Sequence, residues 1–300
     1  MKKTCIIIVG PTAVGKTSIA LAIAKHFSTQ IISADSRQCF KELNIGVAKP
    51  SASELDEVYH YFINSHFIQD NISAADFEAY ALNAVSTIFS KNDIAVMVGG
   101  TGLYIKAFCE GMDEIPAIDP QIRNTIVTDY NNNGIQWLRE QIKNNDHDYF
   151  IKGEIENPQR MMRALEVKFS TGQSITSFQS RKKKQRDFNI ITIGLELARD
   201  ILYQRINARV DNMMEAGLLN EAKALLPYKH LNALQTVGYR EIFDHFDGEC
   251  SSERAIELVK QNTRNYAKRQ MTWFKKDNSV VWIVPDIKQV LGYISSRFEV

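Results

Sequence analysis

The chain of 300 residues is poor in cysteine and proline, has no long apolar run, and has no excess of either charge. Its four cysteines, Cys5, Cys39, Cys109 and Cys250, stand far apart, with no C-x-x-C pair and no histidine at metal-ligand spacing. This speaks against a zinc site or a disulfide framework and fits a reducing compartment. No apolar stretch approaches the roughly 18 residues that would span a bilayer. The opening MKKTCIIIVG carries an apolar run too short for a secretory leader before Gly-Pro interrupts it. The expectation is a cytoplasmic protein with no membrane partner and no obligate protein partner. A hydrophobic fraction of 44% is ample for a buried core and excludes general disorder.

The net charge of +1 would argue against a nucleic-acid partner if charge were spread evenly, and it is not. Residues 1–100 hold 8 basic and 9 acidic side chains. Residues 181–186, RKKKQR, hold five basic groups and no acid, and residues 260–276 hold six and again none. The first run reads as a solvated loop or as a grip on an anion. On a helix leading through the second, Ile256, Val259, Thr263, Tyr266, Gln270 and Trp273 recur at three- and four-residue steps as a mostly apolar stripe. Lys260, Arg264, Lys268 and Lys275 then share another face, which suits either an ordinary surface helix or one lying on a phosphate backbone.

The first hundred residues alternate strand and helix: Cys5–Val9, a helix from Lys16 to Phe27, Gln30–Ala34, then Ile94–Val98 leading into a helix from Leu103. Such alternation predicts a parallel sheet with ligands at the carboxyl ends of its strands. Residues 113–188 are polar, Asn-rich and without a convincing strand, as expected of an inserted helical subdomain. Strand character returns at Asn189–Leu195, and the remainder reads as mainly helical. The expected class is therefore α/β, a P-loop NTPase-like parallel-sheet core (1–112 and 189–300) interrupted by an all-helical subdomain. In that subdomain Asn157-Pro158 starts a helix with Met162, Leu165 and Phe169 on one face and Arg160 and Arg163 on the other.

GPTAVGKT, from Gly10 to Thr17, fits G-x-x-x-x-G-K-[ST] between a strand and a helix. In such a loop backbone N–H groups face an anion and the helix N-terminus adds its dipole. Lys16 neutralises phosphate charge, and the Thr17 hydroxyl is placed for Mg²⁺. The pattern specifies a polyphosphate or diphosphate, not ATP in particular. Where an ATPase strand would end in an acid, Ile94–Val98 ends in Gly99-Gly100-Thr101-Gly102. The acid comes earlier, as Asp35 in SADSRQ, where it serves as a base, a metal ligand or a turn cap. The glycines around Thr101 suggest close backbone approach to a ligand. Arg205 and Arg209, four apart on a helix, are candidates to neutralise charge opposite Lys16.

Taken together, GPTAVGKT, SADSRQ, GVAKP (46–50), SAADF (73–77), VGGTGLY (98–104), NPQRMMRALEV (157–167), RVDNMMEAGLL (209–219), LQTVGYREI (234–242) and QNTRNYAKRQMTWF (261–274) resemble the bacterial tRNA dimethylallyltransferases, or tRNA isopentenyltransferases. The match runs in order over nearly the whole chain. Val47 departs from the usual GTAKP, and the zinc finger of eukaryotic relatives is absent. The resemblance implies transfer of a dimethylallyl group from its diphosphate to N6 of the adenosine 3′ of a tRNA anticodon (adenosine-37). It implies that Gly10, Pro11, Thr12, Ala13, Val14, Gly15, Lys16 and Thr17, with Arg209 preferred over Arg205, hold the diphosphate. It makes Asp35 the general base, with Thr101 and Lys16 in the catalytic set. The tRNA anticodon arm would meet Asp35, Ser36, Arg37, Gln38, Thr101, Arg123, Gln159, Arg160, Met161, Met162 and Arg163, with Mg²⁺ at Thr17. The rival readings are an adenylate dimethylallyltransferase acting on free AMP, a P-loop small-molecule kinase, and a GTPase-like RNA-binding module. The last lacks a guanine-reading N-K-x-D.

Overall fold

A computed structural model describes residues 2–180 and 182–298. Two compact units are present: Met112–Lys184, and the chain on either side of it, up to Gly111 and from Gln185.

The larger unit is a six-stranded, wholly parallel sheet in the order β3-β2-β4-β1-β5-β6. Its strands are β1 (Thr4–Val9), β2 (Ile31–Ser33), β3 (His60–Tyr61), β4 (Ile94–Val98), β5 (Asn189–Leu195) and β6 (Val281–Ile283). β1 lies between β4 and β5, with Thr4 opposite both Ile94 and Asn189, and all six of its residues are buried. A central parallel strand is covered on both faces, which explains why CIIIV is a continuous apolar run with no alternation. Helix α1 (Lys16–His26) supplies Ile19, Ala20, Leu21, Ile23 and Ala24 to the core beneath. Four strands match the expectation. β3 and β6 correct the reading of their regions: two and three residues long, they owe their strand geometry to pairing with β2 and β5.

The remaining helices of this unit are α2 (Ala52–Glu57), α3 (Ala74–Phe89), α4 (Gly102–Glu110), α8 (Arg199–Glu215), α9 (Leu218–Leu225), α10 (Tyr239–Phe246), α11 (Ser252–Phe274) and α12 (Ile287–Ser296). Ser51 and Ser73 start α2 and α3 with reciprocal capping boxes to Glu54 and Asp76. Among the described residues no helix is long and apolar enough to cross a membrane.

The smaller unit is helical: α5 (Pro120–Asn145), α6 (His147–Lys152) and α7 (Pro158–Thr171). Gly134, at φ 74° and ψ −168°, breaks α5 into two segments. Its core is built from Ile126, Leu138, Ile142, Tyr149, Met161, Met162 and Leu165, among others. Phe169 does not join that face. It is 45% exposed, while Met161 is fully buried, so the inward stripe of α7 is rotated toward Met161.

Candidate active site

The carboxyl ends of β1, β2 and β4 converge on one cavity of about 510 Å³ in the sheet unit. Thr12, Ala13, Gly15, Lys16 and Thr17 form its floor, Ser33, Asp35 and Gln38 one side, and Arg205 and Arg209 another. Gly15 adopts φ 104° immediately before α1, a left-handed conformation that a side chain would strain. Not every residue of the loop lines the cavity: Thr12, Ala13, Gly15, Lys16 and Thr17 do, and Gly10, Pro11 and Val14 shape the loop behind them. Val14 is buried in the core, Pro11 has no N–H to donate, and a Cβ on Gly10 would meet the Leu195 carbonyl at 2.6 Å.

The Lys16 ammonium donates to the Pro11 carbonyl at 2.8 Å, so it is held over the loop. Loss of hydration, together with Arg209 nearby, pushes it down to about 7, against an opposing pull from Asp35. Arg209, on α8, donates to the Thr12 hydroxyl at 3.2 Å and is itself pushed down by burial. Lys16 and Arg209 thus concentrate two positive groups over one loop, with Asp35 close enough to act on both. Such crowding of positive groups makes the cavity attractive to an anion. Arg205 also lines the cavity, but Arg209 is the one bonded to the loop.

Asp35 follows β2. Its Oδ1 accepts the backbone N–H groups of Arg37 at 2.9 Å and Gln38 at 3.3 Å, the turn-cap geometry anticipated as one option. The cap does not consume the carboxylate, because both bonds fall on Oδ1 and the residue still lines the cavity. Thr101 caps the entry to α4 and its hydroxyl accepts the Ser36 N–H at 3.0 Å. It lies off the cavity wall and fixes the Asp35 turn from the side. Gln38 is fully used: its amide nitrogen donates to the carbonyls of Val47 and Ala48, and its oxygen accepts from Ser33.

Of the glycines flanking Thr101, Gly99 and Gly100 line the cavity, and all three are also packed closely by protein. An added Cβ would meet the Ala34 carbonyl at 2.1 Å from Gly99, Gln270 at 2.0 Å from Gly100, and the Trp273 indole at 2.2 Å from Gly102. Gln270, read earlier as one of an apolar stripe, accepts the Thr12 N–H at 2.8 Å and donates to the Gly100 carbonyl at 3.1 Å. Only 6% exposed, it ties the phosphate-type loop to the second glycine-rich loop. Glu221 on α9 is a second residue the sequence did not single out. Its carboxylate accepts the N–H groups of Asn44, Ile45 and Gly46 and the Tyr239 hydroxyl, holding the start of the GVAKP loop.

The chain matches the model of a family described as IPP transferase over residues 38–277. The chain belongs to the IPP transferase family. A tRNA dimethylallyltransferase of Christiangramia forsetii is 47% identical over 99% of both chains, and one of Flavobacterium johnsoniae is 47% identical over 97% of both. Among solved structures, a full-length tRNA isopentenylpyrophosphate transferase from Bacillus halodurans superposes with a TM-score of 0.73. It is 35% identical, with 99% of this chain and 97% of that one covered. A eukaryotic dimethylallyltransferase acting on tRNA gives 0.76 at 25% identity, covering 91% of this chain and 70% of that one.

Within this IPP transferase the expected RNA-facing residues separate by burial. On α7, Gln159 and Arg160 are exposed and Arg163 half-buried, whereas the Met161 and Met162 side chains pack in the helical core. On α11 three groups of the expected basic face have partners within the protein. Lys260 pairs with Asp211 at 2.8 Å, Arg264 donates to Asn207, and Lys275 pairs with Glu196 at 3.1 Å. Lys268 is exposed, and its neighbours on the surface are Arg269, Thr272, Trp273 and Lys276. Trp273, expected in the apolar stripe, is 37% exposed. Of the RKKKQR run, Arg181 lies outside the described residues. Arg186, largely buried, pairs with Glu78 at 2.8 Å and donates to the carbonyls of Ala107 and Phe108, so its guanidinium is engaged at the end of α4.

Proposed function

We propose that the chain transfers the dimethylallyl group of dimethylallyl diphosphate to N6 of adenosine-37 of tRNA, releasing diphosphate. The observation that carries this reading is Lys16 and Arg209 facing the same cavity as Asp35: a diphosphate cradle beside a free carboxylate edge. The exocyclic amine is a weak nucleophile because its lone pair is delocalised into the ring. As its nitrogen bonds to the allylic carbon, the carbon–oxygen bond to diphosphate breaks and that oxygen keeps the electron pair. The amine becomes acidic, and Asp35 accepts its proton. Lys16, Arg209 and the loop N–H groups stabilise the charge that builds on the leaving diphosphate.

Magnesium fits the residues present. Among the described residues there is no group of three or more His, Cys, Asp or Glu side chains that could hold an ion by themselves. Thr17 faces the cavity in the first turn of α1, beside Lys16 and Ser18, which suits an ion held mainly by substrate phosphate and water. When bound there, Mg²⁺ neutralises diphosphate charge. The target base has to leave its stack to reach Asp35, as for other enzymes that act on a base. Gln159, Arg160, Arg163 and Arg123 on the helical unit, and Lys268 and Arg269 on α11 with Lys276 just after it, would meet the RNA. A cytoplasmic location follows from that partner.

The test is mass analysis of tRNA incubated with the protein, dimethylallyl diphosphate and Mg²⁺, with AMP offered in parallel. The expected product is one added C5H8 unit on adenosine-37, without ATP. Transfer to AMP alone, or a need for ATP, overturns the reading. RNA affinity is expected to fall steeply with added salt as counterions are released.

A further inference from the structure

Within the helical unit, one buried carboxylate holds two of the arginines just named. Glu166 on α7 is 3% exposed. Its Oε2 accepts from Arg163 Nη1 at 3.1 Å, and its Oε1 stands 3.7 Å from Arg123 Nε on α5. The two guanidiniums remain outward: the Arg123 side chain is 60% exposed and that of Arg163 39%, against 4% for Glu166. Arg160 on the same helix differs, since its partner Glu154 is itself about half exposed. Water competes for an exposed pair and leaves it little net strength, whereas the Glu166 carboxylate, 3% exposed, is shielded from water and meets Arg163 and Arg123 instead.

We propose that Glu166 is a positioning residue that aligns Arg123 and Arg163 as a single phosphate-binding fork for the RNA backbone. The inference rests on the tRNA reading above. A guanidinium carries five donors in a fixed plane. With one edge engaged by Glu166, the opposite edge is presented outward, and little side-chain freedom is left to lose when a phosphate binds. Electrostatics alone predicts the reverse, because a carboxylate beside two arginines lowers the local positive potential. The two effects therefore differ in sign when the charge is removed.

The experiment measures binding of an anticodon stem-loop and steady-state transfer for Glu166→Gln, Arg163→Lys and the double substitution, with thermal unfolding as the check on folding. Alignment predicts that Glu166→Gln weakens RNA binding about five- to tenfold, raises KM for RNA and leaves KM for dimethylallyl diphosphate at its wild-type value. Arg163→Lys keeps a charge against Glu166, so the fold is retained even if Glu166→Gln proves unstable. It is expected to lose a similar factor by losing the fork. The double substitution should lose much less than the product of the two. Unchanged or tighter RNA binding by Glu166→Gln, independent losses in the double variant, or wild-type binding by Arg163→Lys overturns the proposal. Failure of the wild-type protein to bind the stem-loop at all would instead overturn the tRNA reading itself.

Discussion

The two glycine-rich loops of the sheet unit look alike in sequence and differ in what their glycines are for. In residues 10–17, Gly10 and Gly15 take φ of 141° and 104°; at Gly15 the conformation alone excludes a side chain, and at Gly10 the Leu195 carbonyl 2.6 Å from an added Cβ adds to it. Much of the loop faces an open cavity. In residues 99–102 no glycine has a positive φ, and space is what excludes a side chain, because Ala34, Gln270 and Trp273 already occupy it. Both loops border the cavity, through Thr12, Ala13, Gly15, Lys16 and Thr17 and through Gly99 and Gly100, but the glycines of the second are fixed by close packing against their own protein. Gln270 joins them, so the second loop sets the position of the first.

The largest test of this division is Asp35→Ala. Asp35 lies between the loops, with Oδ1 committed to the turn. If its other oxygen takes the proton, single-turnover transfer falls by about 10²–10⁴-fold while RNA binding is largely kept. Near-normal single-turnover transfer would remove Asp35 as the base and reduce it to a cap.

A smaller effect is expected from Gly100→Ala. Its new Cβ would stand 2.0 Å from Gln270 Nε2, so Gln270 must move and release both Thr12 and Gly100. The expected cost is about 1–3 kcal/mol, read as a lowered Tm, with a raised KM for dimethylallyl diphosphate because Thr12 is no longer held. A Tm and KM equal to wild type would show that the second loop does not set the first.

Much of this was legible in the sequence, and the gaps have physical causes. The β1–loop–α1 unit announces itself because pattern, turn and helix all lie within 23 consecutive residues from Thr4 to His26. The coupling of Gly100 to Gln270 spans 170 residues and leaves no local signal. Helical spacing placed Lys260, Arg264 and Lys275 near one another, but nothing in that spacing reveals Asp211, Asn207 and Glu196 across from them. A charge run measures supply, and only the fold shows what has been spent internally. β3 is invisible for the same reason, since His60 and Tyr61 are extended only through pairing with Ile31 and Ile32.

The subtlest test concerns protons on the first loop alone. Lys16 is pushed down to about 7 in the free protein by dehydration and by Arg209. A diphosphate beside it favours the charged form and raises the value again. Below pH 7 the ammonium is already protonated and binding takes up no proton there. Above pH 7, up to the value in the complex, binding draws up to one proton onto Lys16 and affinity falls as pH rises. Calorimetry of diphosphate binding near pH 8, in buffers of differing ionisation enthalpy, should therefore show a proton uptake that Lys16→Ala lacks. The comparison with Lys16→Ala cancels the titration of diphosphate itself. Gln270→Ala alters the loop's anchor and leaves its ammonium in place, so it should retain that uptake even where affinity is lost. Equal uptake by wild type and Lys16→Ala would mean that the proton goes elsewhere, and the charge crowding over this loop would then have no part in selecting an anion.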